Sequence, residues 1–229
     1  KELRSLPQII GGFTKESVES TAAIFRDLTP VLVRVKSIEE AEMAKLINNS
    51  FRDYVFAFAN YASVVAQSFN IDIFDTIRAA NEGYVRDPVP LPSPGVGGPC
   101  LTKDPYIFAS NSSDNILEFN PFIMSRRTNV YMHEHVVNQV EVALKTCGKQ
   151  LKNAKILIAG IAVKGDPETG DIRNSSSVEI AKNFNLKEGN ISIYDPVASL
   201  EDMLKLGFRV LDIKSFYEEE FDAILFLNN

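Results

Sequence analysis

From Ser37 through Phe69 the chain runs without a glycine or proline, and apolar residues recur at helical spacing, among them Ala41, Ala44, Leu46, Ile47, Phe51, Tyr54, Val55, Phe58 and Ala62. That pattern predicts one helix of about 30 residues, about 45 Å long at 1.5 Å per residue. Ser37 with Glu40 has the form of a capping box at its start. A helix of this length with so much apolar surface exceeds what a small domain needs for its own core, so it calls for a partner helix or a second subunit.

The segments around this helix divide the chain into a helical half and an α/β half. Ahead of it, Lys15 to Asp27 reads as a helix broken at Thr29-Pro30, and Val31-Leu32-Val33-Arg34-Val35 as a strand with too few neighbours to stand alone. After it, Asp72 caps a helix through about Ala80, which Asn81-Glu82-Gly83 ends. Residues 83 to 99 are loop, stiffened by Pro88, Pro90, Pro92, Pro94 and Pro99, with Pro105 just beyond. A helix follows Cys100, then the polar patch from Ser110 to Asn115, then a helix from about Thr128 to Thr146 stopped at Gly148. From Lys155 the pattern changes: Lys155 to Val163 is a continuous apolar strand, followed by a helix at Ser176 to Asn185, a strand at Ile191 to Pro196, a helix at Leu200 to Leu206, a short strand near Phe208 to Val210, a helix at Ile213 to Glu220 and a strand at Ala223 to Leu227. Strands alternating with helices imply right-handed βαβ units and a parallel sheet. No G-x-G-x-x-G follows the first of these strands, so this half lacks the usual dinucleotide fingerprint.

Composition narrows the function classes. At 45% hydrophobic and 24% charged residues the chain is that of an ordinary globular protein, and no stretch reaches the roughly 18 apolar residues of a membrane span. It reads as soluble and cytoplasmic. A net charge of −6 argues against a broad nucleic-acid surface, though a local basic pocket can still take an anion. Two cysteines, Cys100 and Cys147, make neither a disulfide scaffold nor a four-thiolate metal site. The two histidines, His133 and His135, point in different directions on a helix, so no metal is expected.

The chemistry concentrates in Ser93-Pro94-Gly95-Val96-Gly97-Gly98-Pro99-Cys100-Leu101-Thr102-Lys103-Asp104. Glycines let backbone approach a ligand closely, Cys100 offers a nucleophile, and Asp104 lies about one helical turn beyond it if residues 101 to 104 begin a helix. The competing reading is a buried free cysteine beside a turn. Lys45 and Asn49, four apart on the long helix, share a face; they are either two solvated polar residues or a desolvated ammonium and an amide that stabilise an oxyanion. Arg86, Lys103, Lys164 and Arg173 are surface charges or, taken together beside Gly- and Pro-rich loops, cations for a phosphate-bearing ligand.

Three motifs in order, Glu42-Met43-Ala44-Lys45-Leu46-Ile47-Asn48-Asn49, then Pro94 through Asp104, then Ala162-Val163-Lys164 followed by Gly170-Asp171-Ile172-Arg173-Asn174-Ser175, give a chain that resembles the UDP-glucose/GDP-mannose dehydrogenase family over essentially its whole length. The resemblance implies an α/β protein with a helical central dimerisation domain over 37–150 and a Rossmann-like parallel α/β nucleotide-binding domain over 151–229, cut short at its end. Residues 1–36 look like the tail of an N-terminal NAD-binding domain, so the chain is expected to be a fragment of a longer enzyme. It also implies a four-electron, NAD-dependent oxidation of a UDP-sugar at carbon 6, by a homodimer formed through the long helix. In that reading Cys100 forms a thiohemiacetal and then a thioester, Lys45 and Asn49 stabilise oxyanions, and Asp104 helps activate water. Arg86, Leu91, Ser93, Gly95, Val96, Gly97 and Lys164 become substrate contacts, Arg86 reaching the sugar of a neighbouring subunit, while Lys103 and Arg173 become NAD contacts. Two positions depart from the family pattern: Pro99, where a His or another polar residue is common, and Asn174, where a Glu usually follows the arginine. The reading from another class is a non-catalytic dimerisation and nucleotide-binding module.

Overall fold

The computed structural model describes residues 2–110 and 120–228 and divides the chain into two compact units, Lys1–Phe51 and Arg52–Asn229. The fold is mixed α/β, with one long helix and parallel sheets. Asn111 to Asn115 of the polar patch lie outside the described residues.

In the first unit, α1 (Glu2–Ser5), β1 (Gln8–Ile10), α2 (Lys15–Phe25) and β2 (Leu32–Arg34) precede the long helix. Thr14 and Ser17 cap α2 reciprocally, each side chain bonding the other's backbone. β2 finds the partner that its own neighbourhood in sequence does not offer: β1 pairs with it in parallel, from Gln8 opposite Leu32 to Ile10 opposite Arg34. The Thr29 hydroxyl donates to Leu6 O at 2.7 Å and ties the entry of β2 to that of β1.

The long helix, α3 (Ile38–Ser68), has 31 residues and runs from the first unit into the second. Its cap differs from the expected box. The Ser37 hydroxyl accepts from Glu40 N at 3.2 Å, but the Glu40 carboxylate accepts from Lys36 N at 2.7 Å instead of from Ser37 N. Only the reciprocal bond is shifted, to the amide one residue before the cap.

The second unit adds α4 (Ile73–Asn81), α5 (Asp104–Ser110) and α6 (Pro121–Thr146), then β3 (Lys155–Ala159), α7 (Ser176–Leu186), β4 (Asn190–Tyr194), α8 (Leu200–Lys205), β5 (Arg209–Val210), α9 (Ile213–Glu218) and β6 (Ala223–Phe226). Asp72 caps α4 as expected, its carboxylate accepting from Phe74 N and Asp75 N. α6 begins seven residues before the sequence reading places it, because Asn120 is its N-cap and Pro121 fills the first turn, where a missing N–H costs nothing. The sheet order is β5-β4-β3-β6 with every pair parallel. Its core joins Ile156 and Ile158 of β3 and Ile193 of β4 to Ile180 and Phe184 of α7 and Val137 and Leu144 of α6, all buried.

β3 is shorter than its apolar run. The chain turns at Gly160, which takes a φ of +90°, and the amides of Ile161 and Ala162 then donate to one oxygen of Asp195 at 2.9 Å each. The other Asp195 oxygen accepts from Val197 N at 2.9 Å and Ala198 N at 2.8 Å. One buried carboxylate thus pins together the carboxyl ends of β3 and β4, the edge at which open parallel sheets carry ligands. Among the described residues no helix is long and apolar enough to cross a membrane.

Candidate active site

The loop between α4 and α5 has no regular structure, yet it is bonded every few residues. The Asn81 side chain both donates to Val89 O at 2.8 Å and accepts from Val89 N at 2.9 Å. Ser93 N donates to the Asn60 side chain at 2.7 Å, Val96 O accepts from Arg126 at 2.9 Å, and Gly98 N donates to Asn174 O at 2.7 Å. Five prolines reduce what this ordering costs in entropy, and the side-chain bonds replace the ladder that prolines cannot join.

The glycines of the loop answer to close approaches. At Gly95, with φ +108°, a Cβ would stand 2.7 Å from Asn129 O and from His133 Nε2; at Gly97 it would stand 2.2 Å from Asn174 O. The loop therefore lies between α6 and the backbone that leads into α7. Two motifs of the sequence meet there, the glycine-rich one and the one containing Arg173 and Asn174. Val163 N donates to Asp171 O at 2.9 Å, which joins the turn carrying Lys164 to the same segment.

Cys100 follows as an exposed free thiol, not the buried cysteine of the competing reading. Its carbonyl accepts from Lys103 N at 3.1 Å and Asp104 N at 2.9 Å, so Asp104 opens α5 one turn beyond the sulfur-bearing residue. The Asp104 side chain is 1% exposed and pairs at 2.7 Å with Lys103 Nζ, whose side chain is 58% exposed. Arg173 is held by Asp171 through Nε at 2.9 Å and Nη2 at 2.7 Å. Hydrogen bonding to Asp104 raises the Lys103 pKa, and hydrogen bonding to Asp171 raises that of Arg173; a negative charge on Cys100 adds to both effects. Two exposed cations thus stand near enough to the thiol to interact with its charge.

Leu91 lines a surface groove with Asp75 and Arg78 of α4 and Glu82 just beyond it, and Arg86 stands exposed on the loop before Leu91. Lys164 is half-buried in the turn after β3. Lys45 and Asn49 lie one turn apart on α3, within the first unit, Lys45 exposed and Asn49 half-buried.

Beneath the loop lies a buried polar layer that the sequence reading does not single out: Asp53 and Asn60 of α3, Arg126, Asn129 and His133 of α6. The spacing carries a faint signal, since 53 and 60 are seven apart and 126, 129 and 133 are three and four apart, each set on one helix face. Arg126 pairs with Asp53 at 2.6 Å, both side chains at most 3% exposed. Burial pushes the Asp53 carboxyl upward, against the pull of the Arg126 guanidinium and the Asn129 amide.

Burial lowers the His133 pKa to about 4; Glu179 attracts its proton and Arg126 repels it. Nε2 makes no hydrogen bond among the described residues, which suits a neutral ring packed on Gly95. The unfolded chain takes this proton near 6.5 and the native state only near 4. Between those values the unfolded state binds more protons, so stability falls as pH falls. From pH 7 to 5 this one residue should cost about 2 kcal/mol. Denaturant unfolding of His133→Gln at both pH values is expected to show an acid loss smaller by about that amount; an equal loss would remove His133 as the cause.

Residues 39–131 match the UDP-glucose/GDP-mannose dehydrogenase family, central domain. The chain is 33% identical over 196 residues to UDP-N-acetyl-D-mannosamine dehydrogenase of Pyrococcus horikoshii, an alignment covering 86% of this chain and 46% of that protein. The native structure of a UDP-N-acetyl-mannosamine dehydrogenase from Staphylococcus aureus superposes with a TM-score of 0.77 at 28% identity, over 99% of this chain and 50% of that one. A UDP-glucose dehydrogenase from Pyrobaculum islandicum, at 21% identity and a TM-score of 0.81, shares the fold over 99% of this chain and 51% of its own. The chain spans about half the length of the curated relatives it matches.

Proposed function

We propose, from the match of residues 39–131 to the central domain of the UDP-glucose/GDP-mannose dehydrogenase family and from the likeness to UDP-N-acetyl-D-mannosamine dehydrogenases, that the chain forms part of an NAD-dependent dehydrogenase that oxidises the carbon-6 alcohol of a UDP-sugar to the carboxylate. The observation that carries this reading is the exposed Cys100 thiol set between two cations and one turn ahead of a buried carboxylate. The names of the relatives favour a UDP-N-acetylhexosamine, UDP-N-acetylmannosamine first, over UDP-glucose.

In this reading the Cys100 thiolate adds to the aldehyde formed by the first oxidation, and a thioester stands on the same sulfur after the second. Lys45 and Asn49 of α3 supply an ammonium and an amide to the oxyanions, groups preorganised by one helix face. Asp104 takes the proton of the water that opens the thioester. Ser93, Gly95, Val96 and Gly97 present loop backbone to the sugar, with Leu91, Arg86 and Lys164 as further substrate contacts. Lys103 and Arg173 suit the pyrophosphate of NAD, being exposed cations already gathered beside the thiol. NAD, when bound, accepts the hydride removed from the substrate carbon. A homodimer follows from α3, where Ile47, Phe51, Tyr54, Phe58 and Tyr61 remain between 45% and 63% exposed along the helix.

The test is made on the intact protein with UDP-N-acetylmannosamine and NAD. Two NADH per sugar acid and a dimer in sedimentation velocity are expected. One NADH with aldehyde as the end product would refute the four-electron reading, and a catalytically active monomer would refute the dimer.

A further inference from the structure

We infer that Asn60 and Arg126 are positioning residues for the thiol loop, fixing its backbone at Ser93 and Val96 through one continuous buried hydrogen-bond relay between α3 and α6. The inference rests on the reading of Cys100 as the nucleophile. It concerns what holds that nucleophile in place.

The relay has a direction. Asn129 Nδ2 donates to Asp53 O at 3.1 Å and to Asp53 Oδ1 at 2.9 Å. That leaves its Oδ1 to accept from Asn60 Nδ2 at 2.8 Å, which in turn leaves Asn60 Oδ1 to accept from Ser93 N at 2.7 Å. Reversing either amide would set like groups against each other, so a single orientation of both side chains satisfies the set. Arg126 closes the layer from the same helix face: Nη1 donates both to Asp53 Oδ1 at 2.6 Å and to Val96 O at 2.9 Å. The four side-chain residues are no more than 2% exposed.

Such a layer is a poor device for stability alone. Buried ion pairs are often matched by apolar residues of similar volume, and Arg126 Nε makes no hydrogen bond among the described residues. What apolar packing cannot supply is directional hold on a loop without regular structure. The two anchored points, an amide and a carbonyl, lie within the seven residues before Cys100, in the stretch assigned to the substrate. Reacting groups displaced by about 1 Å can lose about 10²-fold in rate.

Asn60 separates loop anchoring from helix packing. In the intact protein, Asn60→Leu fills the same space without an acceptor, while Asn60→Asp, held neutral by burial, keeps an acceptor for Ser93 N and can donate its O–H to Asn129 Oδ1 in place of the amide. With Asn60→Leu, exchange of the Ser93 amide proton should accelerate at least about tenfold and kcat for acid formation should fall about 10- to 100-fold. With Asn60→Asp, both should stay within about threefold of wild type. Where Asn60→Leu does not fold, Asn60→Ser, one bond too short for Ser93, carries the same expectation. A folded Leu or Ser variant with wild-type Ser93 protection and kcat overturns the proposal, and so does an Asp variant as slow as the Leu variant. Because Ser93 exchange needs no turnover, loss of the Cys100 reading would leave that measurement standing and would show as unchanged acid formation by Cys100→Ser.

Discussion

In the intact protein, Cys100→Ser should lower acid formation from the UDP-sugar by at least about 10³-fold and leave aldehyde as the product, with the NADH yield falling from two to one per sugar. A serine hydroxyl fills nearly the same volume but stays protonated near neutral pH, and the carboxylate one turn beyond it, Asp104, is paired with Lys103 and is assigned to the later hydrolytic step. Lys103 and Arg173, as cations, cannot remove a hydroxyl proton. The imidazole at the loop, His133, is buried with Nε2 packed on Gly95. The first oxidation involves no bond to sulfur, so it should survive the change. Product mass and NADH count measured together decide the matter. Wild-type acid formation by the variant would rule out a covalent role for Cys100.

The architecture was readable where a long periodic pattern outweighs local detail. Thirty-one residues without glycine or proline can do little but form α3, and the alternation after Lys155 leads to the all-parallel sheet. The ends of elements were less readable because they depend on single capping atoms. α6 starts at Asn120-Pro121 by a cap and a missing N–H, a signal that an apolar count passes over. β3 stops at Ala159 although the apolar run continues, because the chain turns at Gly160 and Asp195, far along the chain, takes the amides of Ile161 and Ala162. β1 is three residues between Pro7 and Gly11 and becomes a strand only by pairing with β2.

The site divides in the same way. Cys100, Lys103 and Asp104 are close in sequence, so the turn that joins them follows from spacing alone. The layer that holds the loop is built from pairs far apart in sequence, such as Arg126 with Asp53 across 73 positions. Each of those residues, read singly, is an ordinary polar residue on a helix. Only the meeting of α3 with α6 turns Asn60 and Arg126 into anchors for Ser93 and Val96.

Asp104→Asn should act on the other side of the covalent intermediate. The Asp104 side chain is 1% exposed, and its backbone N–H bonds Cys100 O at 2.9 Å, so asparagine can keep both the packing and the turn. Lys103 loses its ionic partner at 2.7 Å, but with 58% of its side chain exposed it is rehydrated at little cost. What disappears is a carboxylate able to take a proton from water. Removing a general base typically costs about 10²- to 10⁴-fold, so steady-state acid formation should fall by about 10²-fold or more while the first turnover proceeds to the thioester. Intact-protein mass spectrometry should then find a sugar-derived acyl group on Cys100, released by hydroxylamine, and the double variant Cys100→Ser/Asp104→Asn should carry none. Turnover within threefold of wild type, or a slow variant whose Cys100 stays unmodified, would take water activation away from Asp104. A loss of the first turnover as deep as that of the steady state would place Asp104 before the thioester, as a group that positions Lys103 or the thiol.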